Sequence, residues 1–241
     1  MSSSDTRSVE GVAPRPRAIV TGATGGMGAE IVRDLSRTHD VIALGRSGEK
    51  LAELALLPGV DSRRVDLARP ETIGAELGDA SAVDVLVHAA AIGAAHSVET
   101  ASPADWAAQL TLNVVAAAEL TRILLPTLRE RAGTVIFIGS GASTRPVPGS
   151  VVYAASKHAL RALADTLRID EEPHRIRVAT VAPGQTDTEM LRSLVPPSSY
   201  TPERYIQPSS VAAAVRFVVD APADVQLTDI AVRPRQEIAR L

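Results

Sequence analysis

The chain reads as a single doubly wound α/β domain on a seven-stranded parallel sheet, and three observations predict it. From Arg17 onward, short Val/Ile/Leu runs alternate with longer stretches of helical periodicity. A glycine-rich turn joins the first run to the first helical stretch. The apolar fraction is 45% and aromatics only 2%, a bias that suits helices packed on a sheet buried on both faces. Parallel strands require crossovers, so the alternation itself argues for helices on both sides.

Taken in order, Ala18-Ile19-Val20 is the first strand, followed by a helix pattern through Ile31, Val32 and Leu35. Val41-Ile42-Ala43-Leu44 follows, then a helix carrying Leu51, Leu54 and Leu57. The third strand is placed at Val65, with a short helical stretch from Glu71 to Leu77 after it. Residues 83–87 form the fourth strand, and a long helix holds Trp106, Leu110, Val114, Ala117, Leu120 and Leu124. Then come a strand at 134–138, a helix from about Val151 to Asp170, and a strand at 176–181. A helix at 209–219 and a strand at 227–232 close the domain. Residues 1–16, with Ser, Asp, Arg and Pro but no apolar stretch, are read as a flexible N-terminal tail, and residues 17–241 as one domain. The Pro/Ser-rich stretch 195–208 is a long loop within it.

At 241 residues the chain buries roughly 70 to 75% of its unfolded surface, so it needs neither disulfides nor metals for a core. It has no cysteine, which excludes a disulfide scaffold, thiolate metal sites and a cysteine nucleophile, and is compatible with a reducing cytoplasm, the expected location. Twenty-five Lys and Arg against 28 Asp and Glu leave a net charge of −3, so no nucleic-acid partner is expected. No run of 18 apolar residues occurs, and no membrane partner is expected.

Thr21-Gly22-Ala23-Thr24-Gly25-Gly26-Met27-Gly28 lies where a strand enters a helix. Glycines at 22, 26 and 28 allow a tight turn and close approach to a pyrophosphate, whose charge would face the helix N-terminus. The bland reading is a plain strand-to-helix turn. At the end of the second strand stands Gly45-Arg46-Ser47. A carboxylate there would repel a ribose 2′-phosphate, whereas Arg46 could pair with one; otherwise it is a solvated arginine. Asp66 could accept from an adenine amino group or cap the helix that follows.

Tyr153 and Lys157, four apart at the start of a helix, share a face, and an adjacent cation lowers a phenol's pKa towards working pH. Alone, the pair could equally be a surface coincidence. Ser140 follows the fifth strand and can point into the crevice at the strands' carboxyl ends. Asn113 lies inside an apolar helix, an awkward place for an amide without partners. His88 and His96 lack a nearby third metal ligand, and no metal site is expected. Ile138 stands where a G-x-S-x-G elbow needs its first glycine, which counts against a hydrolase.

Taken together these positions resemble the short-chain dehydrogenase/reductase family over roughly residues 17–233. Thr21 to Gly28 match its TGxxxGxG turn, Tyr153 and Lys157 its YxxxK pair, Ser140 its serine thirteen residues before the tyrosine, Asn113 its asparagine, and Pro183-Gly184 its motif after the sixth strand. The resemblance implies a Rossmann domain that binds NADP(H) or NAD(H) and interconverts a small-molecule carbonyl and a secondary alcohol, and Gly45-Arg46 adds the expectation that NADP(H) is preferred. It implies that Tyr153 exchanges the substrate's proton, Lys157 lowers its pKa and holds the nicotinamide ribose, Ser140 binds the substrate oxygen, and Asn113 holds a water of a relay through Lys157. Gly22, Thr24, Gly26, Met27, Gly28, Arg46, Asp66, Ala89, Ala90, Pro183, Gly184 and Thr188 would line the cofactor. A homodimer or homotetramer through the helices bearing Asn113 and Tyr153 is also implied. One motif departs: where the family has Asn-Asn-Ala-Gly this chain has His88-Ala89-Ala90-Ala91, and His88 is read as a structural substitute. Gly25 stands where NADP-preferring members often carry a basic residue, so cofactor preference rests on Arg46. The rival readings are a cofactor-binding sensor or scaffold without turnover, and an epimerase or dehydratase.

Overall fold

In the computed structural model, which describes residues 14–236, seven parallel strands form one sheet in the order β3-β2-β1-β4-β5-β6-β7. The strands are β1 (Arg17–Thr21), β2 (Asp40–Gly45), β3 (Val60–Arg64), β4 (Val83–His88), β5 (Thr134–Ile138), β6 (Arg177–Pro183) and β7 (Asp229–Val232). The strand order reverses direction between β1 and β4, which opens a crevice at their carboxyl ends, the usual ligand position in such sheets.

Alternation along each strand divides the core in two. Ile19, Leu44, Leu86, Val135 and Phe137 face α3 (Ile73–Leu77), α5 (Ala116–Glu130) and α6 (Val151–Asp170), which contribute Leu77, Leu120, Leu124, Leu128 and Leu160. On the opposite face Val20, Ala43, Val87, Ile136 and Ile138 meet Ile31, Val32 and Leu35 of α1 (Gly26–Leu35) and Val211 and Val215 of α8 (Pro208–Val219). Each fully buried Leu or Ile stabilises the fold by about 1.5 to 3 kcal/mol. The remaining helices are α2 (Gly48–Leu54), α4 (Pro103–Leu110) and the single-turn α7 (Glu189–Arg192).

Four expectations change. The third strand runs over Val60–Arg64, with Val65 just past its end, because an edge strand carries Asp61, Arg63 and Arg64 and shows no apolar run. The last strand starts at Asp229 rather than 227. The long helix is continuous from Pro103 to Glu130 but widens into a π-turn at Thr111–Val115, and Asn113 lies in that turn. This 28-residue helix is long and apolar enough to cross a membrane, with Leu112, Leu120, Leu124 and Leu128 buried in the core of the domain. Contacts also begin before the expected domain boundary: Arg15 donates to the carbonyls of Ser36 and His39, and the Pro16 carbonyl accepts from the Asp40 amide. The rest of the expected tail, 1–13, and the last five residues, 237–241, lie outside the described residues.

Candidate active site

The catalytic candidates converge where β5 ends and α6 begins. Ser140 is extended (φ −164°, ψ 163°), and its Oγ accepts from the Ala142 amide at 3.1 Å, capping a 3-10 turn at Gly141–Ser143. Tyr153 lies in the first turn of α6 and Lys157 one turn later, with the ammonium 5.8 Å from the phenol ring centroid. Lys157 is 2% exposed, and its Nζ donates to the Ile138 carbonyl at 2.9 Å. Burial lowers the Lys157 pKa to about 8.

Burial also raises the Tyr153 pKa, and a hydrogen bond with Ser140 pulls weakly the other way. The expected downward pull of the Lys157 ammonium does not prevail here: desolvation of the phenolate dominates, and the ammonium donates to a backbone carbonyl.

Asn113 is a brace between three segments. Its Oδ1 accepts from the Ile92 amide at 2.8 Å, and its Nδ2 donates to the Ile92 carbonyl at 2.9 Å and to Ser156 Oγ at 3.0 Å. Ser156 in turn donates to the Tyr153 carbonyl at 2.8 Å. The π-turn turns the amide towards these partners, which answers the objection to a polar side chain in an apolar helix. The side chain reaches α6 through Ser156 and not through Lys157. Ser156 stands inside the Tyr-Lys motif, but its role emerges only from this network.

The phosphate-end candidates meet on the other side of the crevice. Gly22 has φ +63°, and a Cβ there would stand 2.7 Å from Ala90 N and Cα; at Gly28 it would stand 2.1 Å from the Gly22 oxygen. No side chain caps the N-terminus of α1 and its first turn holds no acid, so its amides face the turn without a competing anion. Met27 is half-buried in that turn. Ala89 and Ala90 both donate their amides to Thr21 Oγ at 3.1 Å, tying β1 to the end of β4. Thr24 packs on Gly45, where a Cβ would stand 2.6 Å from the Thr24 methyl. Arg46 is exposed and Ser47 caps α2, accepting from the Lys50 amide. Asp66 caps a turn rather than the expected helix: its Oδ1 accepts from the Ala68 amide at 3.1 Å, and Arg69 precedes the 3-10 helix.

Pro183 ends β6, and the Gly184 amide donates to the Val232 carbonyl at 2.8 Å. Thr188 caps α7, and its methyl approaches to 3.1 Å from a Cβ built on Gly26, so the segment after β6 lies over the glycine turn. Two further residues reach the crevice. Met190 Sδ and the Tyr153 ring both come within 3.3 Å of a Cβ built on Gly93, and Arg233 lies against Gly141 and Gly184. Arg233 is far from Met190 in the chain, and nothing local marks it.

His88 lies behind the site, 4% exposed and stacked on Phe137 at 4.8 Å. Thr121 donates to the Ala117 carbonyl, so the 2.8 Å contact between His88 Nε2 and Thr121 Oγ has the imidazole as donor. Burial drops its pKa to about 3 and keeps it neutral. His96 approaches Asp105 at 3.6 Å. No group of three metal-ligating residues occurs among the described residues. A cavity of about 460 Å³ opens at the opposite edge of the sheet, lined by Asp40, Asp61 and Arg63 near the amino ends of β2 and β3, away from all these candidates.

The short chain dehydrogenase family model matches residues 16–198. The human dehydrogenase/reductase SDR family member 11 is 30% identical over 92% of this chain and 95% of its own. A crystal structure from Corynebacterium glutamicum, provisionally described as a short-chain dehydrogenase/reductase, is 44% identical, with TM-score 0.70 over 90% of this chain and 99% of that one. The closed form of a serine dehydrogenase complexed with NADP+ is 30% identical, with TM-score 0.85 over 93% and 98%. With the sheet order and the crevice residues in place, these matches make the chain a member of the short-chain dehydrogenase/reductase family, an oxidoreductase acting on an alcohol/carbonyl pair.

Proposed function

We propose that the protein is an NADP(H)-preferring reductase of small-molecule carbonyl compounds, with Tyr153 exchanging the proton with the substrate oxygen. The observation that carries this reading is the cluster of half-buried Ser140 and Tyr153 with buried Lys157 at the carboxyl end of β5. The glycine turn fits a dinucleotide: a Cβ at Gly22 or Gly28 would fill the space its backbone occupies, and the uncapped α1 N-terminus suits a pyrophosphate. The NADP+ complex of the serine dehydrogenase neighbour agrees with that choice. When bound, the nicotinamide supplies or takes the hydride.

The protein's own groups handle position and protons. A phenol held above its usual pKa by burial is protonated at neutral pH, the state needed to donate to a carbonyl oxygen as it becomes an alcohol. Ser140 offers a second hydroxyl to the same oxygen. Lys157, buried with one carbonyl partner, has donors left for a ribose hydroxyl and a neighbouring water. Asn113 and Ser156 hold the first turns of α6 against the 92 loop, and so hold Tyr153 in place. Met190 brings an apolar side chain to the same side of Gly93 as the Tyr153 ring. Gly22, Thr24, Gly26, Met27, Gly28, Ala89 and Ala90 would line the pyrophosphate and adenine ribose, Asp66 the adenine, Arg46 the 2′-phosphate, and Pro183, Gly184 and Thr188 the nicotinamide. Val115 and Ile169, exposed apolar residues of the Asn113 and Tyr153 helices, support a homodimer or homotetramer across these helices, read by light scattering.

The test is a panel of ketones and aldehydes incubated with NADPH or NADH, following nicotinamide oxidation and identifying the product. Secondary alcohol formed with stoichiometric NADPH consumption is the expected result. No consumption across the panel by protein that binds NADPH would favour a sensor instead.

A further inference from the structure

Arg233 follows the last residue of β7, whose Val232 carbonyl is bonded to the Gly184 amide at the end of β6. Its side chain runs inward along the carboxyl rim of the sheet. A Cβ built on Gly184 would stand 3.7 Å from Nη1, and one built on Gly141 would stand 2.8 Å from Nη1 and 3.6 Å from Cζ and Nη2. The guanidinium thus crosses the end of β6 and comes to rest against the backbone next to Ser140. Glycine at 141 leaves it room, since any side chain there would displace it.

Among the described residues, none of its five N–H groups has a hydrogen-bond or ion-pair partner, although the residue is half-buried. Arg192, on α7, is by contrast already engaged: its Nε and Nη2 both donate to Asp187, at 2.9 and 2.6 Å. A guanidinium drawn partly out of water without an acceptor is unfavourable, and its planar fork matches a carboxylate.

We propose that Arg233 binds a carboxylate of the substrate, so that the preferred substrates are oxo acids and the corresponding hydroxy acids. This rests on the reductase reading above. Its hydroxyl-binding groups take one end of the substrate and the guanidinium the other, and the spacing selects chain length.

The test compares oxo acids from pyruvate to 4-oxopentanoate with their methyl esters in wild type, Arg233→Met and Arg233→Lys, each with NADPH. Wild type should favour the best acid over its ester by at least about tenfold in kcat/KM, chiefly through KM. Arg233→Met should lose that preference while ester turnover and NADPH affinity stay within about twofold, and Arg233→Lys should retain part of it, because its charge remains but its fork does not. Equal use of acid and ester by wild type, or equal loss of both in Arg233→Met, overturns the proposal. So does a loss of NADPH affinity, which would make the arginine a cofactor contact. Calorimetric titration of the same acids and esters into the NADP+-saturated protein needs no turnover. Acid binding that disappears in Arg233→Met, in a protein that reduces nothing in the panel, would overturn the reductase reading alone; acid and ester binding alike would overturn the carboxylate site alone.

Discussion

At the phosphate end the crevice is made of main chain, whereas at the catalytic end it is made of buried and half-buried side chains that depend on one another. Gly22 and Gly28 matter for what they lack: the nearest atoms to an added Cβ are backbone atoms of Ala90 and Gly22. Tyr153, Lys157, Asn113 and Ser156 matter for what they carry, and each holds or is held by another polar group. A backbone site fails through sterics, which should cost stability and binding together. A side-chain site fails through chemistry, so one atom can be removed with the fold intact.

The largest effect expected from this contrast is at Tyr153. Tyr153→Phe removes only the hydroxyl and should lower kcat by at least about two orders of magnitude, the usual scale of general acid catalysis, with NADPH affinity and melting temperature nearly unchanged. Turnover near that of wild type would dissolve the distinction between the two ends. Gly22→Ala sharpens it from the other side. The residue has φ +63° and its Cβ would stand 2.7 Å from Ala90, so a stability loss of about 1 to 3 kcal/mol in denaturant titration should accompany weaker NADPH binding. A variant that binds weakly yet melts like wild type would show that the turn is not sterically locked.

The two ends also differ in how far the sequence revealed them. A glycine turn between strand and helix is local, and so are the Tyr153–Lys157 spacing and the apolar runs of β1, β2, β4, β5 and β6. The sequence places β3 only by Val65, just past its end, because an edge strand tolerates Asp61, Arg63 and Arg64, and it does not mark the π-turn at Asn113, whose partners Ile92 and Ser156 are distant in sequence. The direction of the Tyr153 pKa is not legible in the sequence for a physical reason: four-residue spacing announces a neighbouring cation but says nothing of burial, and burial dominates. Met190 and Arg233 reach the crevice from the segments after β6 and β7, which no spacing rule connects to Tyr153.

His88 tests whether the interior behind the crevice is purely structural. The folded protein holds this imidazole neutral, with its pKa lowered to about 3, while the unfolded chain protonates it near 6.5. The unfolded state therefore binds the extra proton between those values, and His88 lowers stability as pH falls below about 6.5, by up to about 1.4 kcal/mol per pH unit. His88→Asn loses the stacking on Phe137, a deficit of about 1 kcal/mol at neutral pH, but carries no such proton. The variant's deficit should shrink on acidification, and parallel stability curves for the two proteins would exclude a buried neutral imidazole.

The smallest effect expected is at Arg46, where the phosphate end acquires its one proposed side-chain contact. Gly45 packs on Thr24 with no space for a carboxylate unless Thr24 moves, and Arg46 stands exposed beside the N-terminus of α2. A charge-assisted contact contributes about 1.5 to 3 kcal/mol when partly shielded, and the exposure of this arginine puts it at the lower limit, about tenfold in affinity. Gly25 adds no second basic contact. Titrating both cofactors into wild type and Arg46→Ala should therefore show NADPH binding weakened about tenfold and NADH binding nearly unchanged, with the NADPH advantage shrinking as salt is raised. Equal losses for both cofactors would make Arg46 a support for the turn, returning the phosphate end to main chain alone. A wild type that prefers NADH would mean that the uncapped α1 N-terminus and the glycine turn account for all of its affinity.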